Sequence, residues 1–219
     1  MKILISASDL RKNFEKYTIV DLRSKQEYDT AHIKGAVSLP VGDAPLKTDD
    51  GGFPSAGNWA GLLGGLGITR DAKIVAYDDG KSGRAVARFW YVAKYYGHGE
   101  VLILNGGFSA ATALPMSADA AKITPSIYAT NITEGYIFGL NEVLENYGKM
   151  KFLDVRTMEE FTGDDLRDNP RGGHLRGAIL APVDNFFADA PGQSFASPDK
   201  LAQAMTRLGI RKEDFIVTY

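Results

Sequence analysis

The stretch "YDDGKSGRAVARFW", Tyr77 to Trp90, holds the densest set of residues that could do chemistry. It reads as the end of a strand, a loop from Asp78 to Gly83, and a helix from about Arg84. In open parallel sheets, ligands gather at the carboxyl ends of strands. A tight loop before a helix aims several backbone N–H groups at one point, which favours an anion there. Asp78 and Arg84 lie six apart and bracket the loop. A cysteine at position 78 would complete a Cys-x5-Arg cradle for a thiolate or an oxyanion. This sequence puts a carboxylate there instead. The plainer reading is favoured for this loop: a strand-to-helix turn capped by Asp78, with Gly80 and Gly83 for backbone freedom. The triplet "GKS" has the ending of a nucleotide phosphate loop, but that loop needs a glycine at position 75, where Val75 stands.

A second set lies further along. Asp154 and Arg156 follow an apolar run, and Arg167, Arg171 and Arg176 surround His174. The chain contains no cysteine and only three histidines, His32, His98 and His174. Disulfides, thiolate metal sites and a thiol nucleophile are thereby excluded within these residues, and no metal or other cofactor is expected.

The elements that must position these groups come in two copies. "TIVDLRSKQEYDTAHIKGAVSLP" (18–40) and "KFLDVRTMEEFTGDDLRDNPRGGHLRGAILAP" (151–182) share Asp-x-Arg, then an acid and an aromatic residue, then a His, Gly-Ala and Pro in the same order. The offset is 133 up to Glu27-Tyr28 and 142 from His32 on, so the second copy carries nine extra residues. "LGITRDAKIVAY" (66–77) pairs with "LGIRKEDFIVTY" (208–219) at the same 142. Three matches in one order indicate a duplicated domain.

Each copy alternates strands and helices, which implies a parallel sheet flanked by helices, an α/β fold. "TIVDL", "KFLDV", "KIVAY", "VLILN" and "FIVTY" read as buried strands and "AVSLP" as a further strand. Ser24 and Glu27 form a capping box for a short helix that Gly35 ends. Asn58 to Leu66 reads as a helix. A longer helix presents Val86, Phe89, Trp90 and Ala93 on one face, with Gly97 closing it. Residues 112–129, with two prolines and many small side chains, read as the connection. The domain boundaries expected are 1–115, a linker at 116–126, and 127–219.

The 219-residue chain is 44% hydrophobic and 24% charged, with net charge −2 and pI about 5.9, which argues against a nucleic-acid surface. No apolar run approaches the roughly 20 residues of a membrane span. The opening "MKILISASDL" is too short in its apolar part for a secretory signal, so a cytoplasmic location is expected.

Taken together, "DLRSKQEYDTAHIKGAVSLP", "IVAYDDGKSGRAVARFWYVAKYYGHGEVLILNGGF" and "FLDVRTMEEFTGDDLRDNPRGGHLRGAILAP" resemble the tandem rhodanese sulfurtransferases, which include thiosulfate and 3-mercaptopyruvate sulfurtransferases. The resemblance covers nearly the whole chain. It implies two rhodanese-like domains, the first without a nucleophile and often with Asp in its place, as at Asp78. It implies that the second carries its catalytic cysteine directly after the strand matching "FIVTY", at the position following Tyr219. The second domain is therefore expected to be incomplete here, lacking the catalytic loop, and a retained remainder of the C-terminal segment is an expected partner.

The implied reaction moves sulfur from a small anionic donor, through a cysteine persulfide, to a thiol or cyanide. Within this chain the implied supporting residues are Asp154, Arg156 and His174, and the implied donor-binding residues are Arg171 and Arg167. Mercaptopyruvate enzymes have an arginine where Glu160 stands, which tilts the expectation toward thiosulfate. His32 and His174, equivalent in the two copies, read as turn histidines. Two other classes stay open: a non-catalytic pair of domains that binds a protein or regulates one, and a phosphatase of the same fold, which needs a longer loop than Asp78 to Gly83 and a cysteine.

Overall fold

The computed structural model describes residues 2–41, 46, 48, 52–187 and 195–219. The described elements are, in chain order, β1 (Leu4–Ile5), α1 (Ala7–Lys12), β2 (Thr18–Asp21), α2 (Lys25–Thr30), β3 (His32–Ile33), β4 (Val37–Ser38), α3 (Ala56–Gly65), β5 (Ile74–Tyr77), α4 (Arg84–Tyr95), β6 (Val101–Leu104), β7 (Met116–Ser117), α5 (Leu140–Asn146), β8 (Lys151–Asp154), α6 (Met158–Thr162), β9 (Ile179–Leu180), α7 (Pro198–Arg207) and β10 (Ile216–Thr218). They form two compact units, one over Met1–Tyr136 and one over Ile137–Asp189 and Phe195–Tyr219.

The first unit is built on a five-stranded parallel sheet in the order β1-β6-β5-β2-β4. β5 lies between β6 and β2, and all four of its residues are buried. Such central parallel strands read as unbroken apolar runs because both of their faces are covered. Around them, Leu10, Ile19, Val75, Tyr77, Leu102 and Leu104 make one continuous core. α4 buries Val86, Phe89, Val92 and Ala93. Trp90, expected on that face, is only part-buried at its flank, because its indole N–H reaches out to the Val101 carbonyl at 3.0 Å. Gly97, at φ +74°, closes the helix in the left-handed conformation.

α3 starts two residues earlier than the apolar pattern suggested, because the Ser55 hydroxyl caps it by accepting from Asn58 N–H. One of its glycines is explained by a neighbour: a Cβ on Gly64 would stand 2.5 Å from the carbonyl oxygen of Ser126, a residue whose N–H bonds back to the Gly64 carbonyl. The stretch at 116–126 thus runs against the first unit. β7 pairs antiparallel with β3, Ala121 N–H donates to the Tyr28 hydroxyl, and Ser126 is held on α3.

The second unit has a three-stranded parallel sheet, β10-β8-β9. Its registers copy the first unit: Thr218 opposes Leu153 as Ala76 opposes Val20, so Tyr219 stands beside Asp154 as Tyr77 stands beside Asp21. "FIVTY" differs from expectation in its burial. Ile216 and Val217 are half-buried, Thr218 is exposed and Phe215 is 47% exposed. Among the described residues β10 has one neighbouring strand where β5 has two.

Candidate functional site

β8 ends at Asp154, at the carboxyl edge of the sheet, with no side-chain exposure to solvent. A bare carboxylate there would be costly. Arg156, two residues on, turns back over it. Its Nε donates to Oδ1 at 2.9 Å and its Nη2 to Oδ2 at 2.5 Å, a two-pronged fork, while the Arg156 backbone N–H adds a bond of 3.1 Å to Oδ1. The guanidinium also donates to the Gly173 carbonyl at 2.9 Å. The phenol of Tyr219 completes the cluster. Its oxygen accepts from Leu175 N–H at 3.0 Å, and its O–H bonds to the Asp154 carboxylate. Burial pushes the Asp154 carboxyl up, but the bonds from Arg156 and Tyr219 outweigh it and hold it below the ordinary carboxylate range. Asp154 therefore stays ionised and matched; it orients its neighbours rather than taking up protons.

The first unit has the same cluster. Arg23 forks onto Asp21 at 3.0 Å and 2.6 Å and reaches the Ala31 carbonyl at 2.7 Å. Tyr77 donates to Asp21 at 2.5 Å and accepts from Ile33 N–H at 3.2 Å. One difference is cover. The Phe108 ring lies 3.6 Å from the Arg23 guanidinium, whose side chain is 5% exposed; Arg156 is 27% exposed and, among the described residues, has only the Tyr219 ring, at 5.4 Å.

The two histidines occupy matching places. His174 bonds through Nδ1 to the Phe161 carbonyl at 2.8 Å and stacks on the Phe161 ring; His32 does the same with Tyr28, at 2.7 Å. His32 is fully buried and His174 is exposed.

The arginines of the inserted segment separate. Arg167, at φ +48°, is the one non-glycine residue in the left-handed region among those described. Its Nε lies 3.1 Å from Asp165 and 3.5 Å from Glu160, so its charge is held by two carboxylates. Arg171 is exposed and has no ion-pair partner among the described residues.

The loop of the first unit is occupied by its own acid. Asp78 is 5% exposed and accepts from Gly80 N–H at 2.9 Å and from Val86 N–H; burial pushes its carboxyl up. Arg84 is exposed at the first turn of α4. Beneath the loop the chain nearly touches itself. A Cβ on Gly80 would lie 2.1 Å from the Gly106 carbonyl, and one on Gly107 would lie 2.5 Å from Gly80 N. This contact is why the turn after β6 reads "NGGF".

The sequence singled out Asp154, Arg156 and His174; the fold joins Asp154 and Arg156 at the end of β8 and stacks His174 on Phe161. It missed the hydroxyls of Tyr77 and Tyr219. Their equal places in the two copies were a signal, but an aromatic residue closing an apolar run reads first as core. No group of three or more acidic or imidazole side chains that could hold a metal ion is found among the described residues. A hollow of about 440 Å³ opens beside Ala181, walled by Phe186 and α7.

Residues 6–114 match the family described as the rhodanese-like domain. The chain is 28% identical over 174 residues to a thiosulfate sulfurtransferase of Gallus gallus, covering 76% of this chain and 60% of that one. It is 30% identical over 205 residues to a protein of Mycolicibacterium smegmatis provisionally named a thiosulfate sulfurtransferase, covering 88% and 72%. The chain thus spans about three fifths of the length of the vertebrate relatives it matches. Its fold matches a crystal structure described as a 3-mercaptopyruvate sulfotransferase of the rhodanese fold from Escherichia coli, with TM-score 0.84 and 21% identity, over 100% of this chain and 88% of that one.

Proposed function

The chain belongs to the rhodanese family, and from that premise we propose that it is part of a sulfurtransferase whose reaction centre lies at the carboxyl edge of the second unit. The observation that carries the reading is the repeated Asp–Arg–Tyr cluster. It sets Tyr219 where Tyr77 stands, so the next position corresponds to Asp78 at the mouth of a strand-to-helix loop. In this reading that position is a cysteine in the whole protein. Its thiolate attacks the outer sulfur of thiosulfate, the S–S bond of the donor breaks, and sulfite leaves with the electron pair. The enzyme then carries a persulfide. Cyanide or a thiolate attacks the outer sulfur of that persulfide and releases the cysteine thiolate.

Arg171 is the better placed of the two arginines for the donor, since Arg167 is held by Glu160 and Asp165. Thiosulfate is the preferred donor in this reading and 3-mercaptopyruvate the second. The setting proposed is cytoplasmic, with a small anionic donor and a thiol acceptor as partners; no helix among the described residues is long and apolar enough to cross a membrane.

A second reading, a non-catalytic domain pair that binds a protein, is favoured by one observation: the loop of the first unit is filled by the Asp78 carboxylate. One experiment separates the two. The intact protein is mapped past Tyr219 by mass spectrometry and then incubated with thiosulfate. A cysteine there that gains the mass of one sulfur atom, and loses it to cyanide, supports the enzyme. Any other residue there, or a cysteine that takes up no sulfur, supports the binding module.

A further inference from the structure

The Tyr219 hydroxyl ties three pieces of chain together. It bonds to Asp154 at the end of β8, accepts the N–H of Leu175 in the turn after the arginine segment, and belongs to the residue that closes β10. The same turn is held by Arg156 through the Gly173 carbonyl, and it lies between Arg171 and Arg176. We infer that Tyr219 is a positioning residue that sets the donor-binding turn against the strand end from which the nucleophile leaves. The inference rests on the sulfurtransferase reading and deepens it, since Tyr219 touches neither donor nor reacting sulfur.

The physical argument is one of accounting. Without the hydroxyl, Leu175 N–H loses its acceptor and Asp154 keeps only the donors of Arg156. Leu175 is exposed, so water replaces the lost acceptor at little cost in stability. What is lost is the fixed place of the turn. The arginine segment then samples positions in which it no longer meets a donor bound at the strand end. A group that orders a binding segment acts on donor affinity more than on bond breaking.

The molecule supplies its own control. Tyr77 makes the same two bonds, to Asp21 and Ile33, at the head of a loop that carries Asp78. The test uses the full-length protein, with thiosulfate as donor and cyanide as acceptor, and compares Tyr219→Phe with Tyr77→Phe. Both variants keep the ring. For Tyr219→Phe, KM for thiosulfate should rise about fivefold to tenfold, the value of one lost hydrogen bond, with kcat within about twofold. Tyr77→Phe should leave both constants at the wild-type values. A kcat that falls at constant KM, constants that do not change, or an equal KM rise in Tyr77→Phe would each overturn the inference. Absence of turnover in the wild type defeats the sulfurtransferase reading, and the inference with it; wild-type turnover that Tyr219→Phe leaves untouched defeats the inference alone.

Discussion

His174 lies flat on Phe161, ring centroids 3.6 Å apart and planes 4° from parallel, although the two are thirteen positions apart in the chain. Tyr28 and His32, four positions apart, make the same stack at 3.8 Å and 3°. The nine extra residues of the second copy are therefore looped out, and the contact they interrupt is kept. Gly163, at φ +90°, turns the chain out of α6, and Gly172 returns so close that a Cβ there would meet Gly163 Cα at 2.8 Å.

The two stacks should differ in what their loss costs. His32 is buried and also faces the Asp119 carbonyl through Nε2, so His32→Ala leaves a cavity and unmatched carbonyls. A loss of about 3 kcal/mol is expected there, against about 1 kcal/mol for His174→Ala at the exposed copy. Urea melts of the two variants, followed by a probe in each unit, check the order; equal losses would contradict it.

Arg156→Ala should be the most damaging single change in the second unit. It leaves the Asp154 carboxylate buried with only Tyr219 as a side-chain donor, at a cost of about 3 kcal/mol. Arg156→Lys should recover less than half, because an ammonium cannot supply two parallel donors. The pH dependence has a definite sign. Asp154 in the fold sits below its ordinary value, so its contribution is present above the unfolded carboxyl pKa and is lost as pH falls through the folded value. In thermal melts over acid pH, the wild type should lose stability steadily where Arg156→Ala loses less.

Much of this organisation is legible in the residues, and the reasons differ by element. The duplicated Asp-x-Arg is legible because a charged pair at the end of an apolar run has few other ways to be buried. α4 is legible because its apolar face repeats at helical spacing. The burial of "FIVTY" was misread, because burial depends on how many strands flank a run, which its own letters do not record. The course of 116–126 along the first unit was also hidden. Small residues and prolines look like a connection, and the bonds that hold them run to backbone groups of Gly64 and to the Tyr28 hydroxyl, which no local pattern reports. The separation of Arg167 from Arg171 depends on a left-handed backbone at Arg167, a conformation that sequence assigns to glycine or asparagine.

The contact between Gly80 and Gly107 predicts a steep cost for one methyl group. Both residues have positive φ; a Cβ on Gly80 would lie 2.1 Å from the Gly106 carbonyl oxygen, and one on Gly107 would lie 2.5 Å from Gly80 N. Gly80→Ala should destabilise the first unit by about 3 kcal/mol, combining strain with a forced shift of the loop. Gly99→Ala, where nothing lies within 4 Å of the added atom and φ is not in the left-handed range, should change the melting temperature by less than a degree or two. Paired calorimetric scans of these two variants check the contrast.

His98 predicts a second pH effect in the first unit. Its ring is 1% exposed, bonds through Nδ1 to the Tyr128 hydroxyl at 2.9 Å and through Nε2 to the Ala72 carbonyl at 2.7 Å, and stacks on the Tyr128 ring. A neutral ring fits this setting, with Nε2–H donating to Ala72 and Nδ1 accepting from Tyr128. Burial, with Lys94 and Arg70 nearby adding to it, lowers the imidazole pKa in spite of the Ala72 carbonyl and Asp71. The unfolded chain therefore binds this proton at a higher pH than the fold does. Stability contributed by His98 is full above the unfolded value of about 6.5 and falls as pH drops below it, until the folded value is passed. Because Tyr128 lies on the segment that crosses α3, protonation should loosen that segment first. Hydrogen exchange at Ser126 and Asn131, measured at pH 7.5 and pH 5.5 under matched intrinsic rates, should show faster opening at the lower pH. In His98→Gln, which keeps a donor for Ala72 but does not titrate, the difference should vanish; a difference that persists would assign the effect to another group.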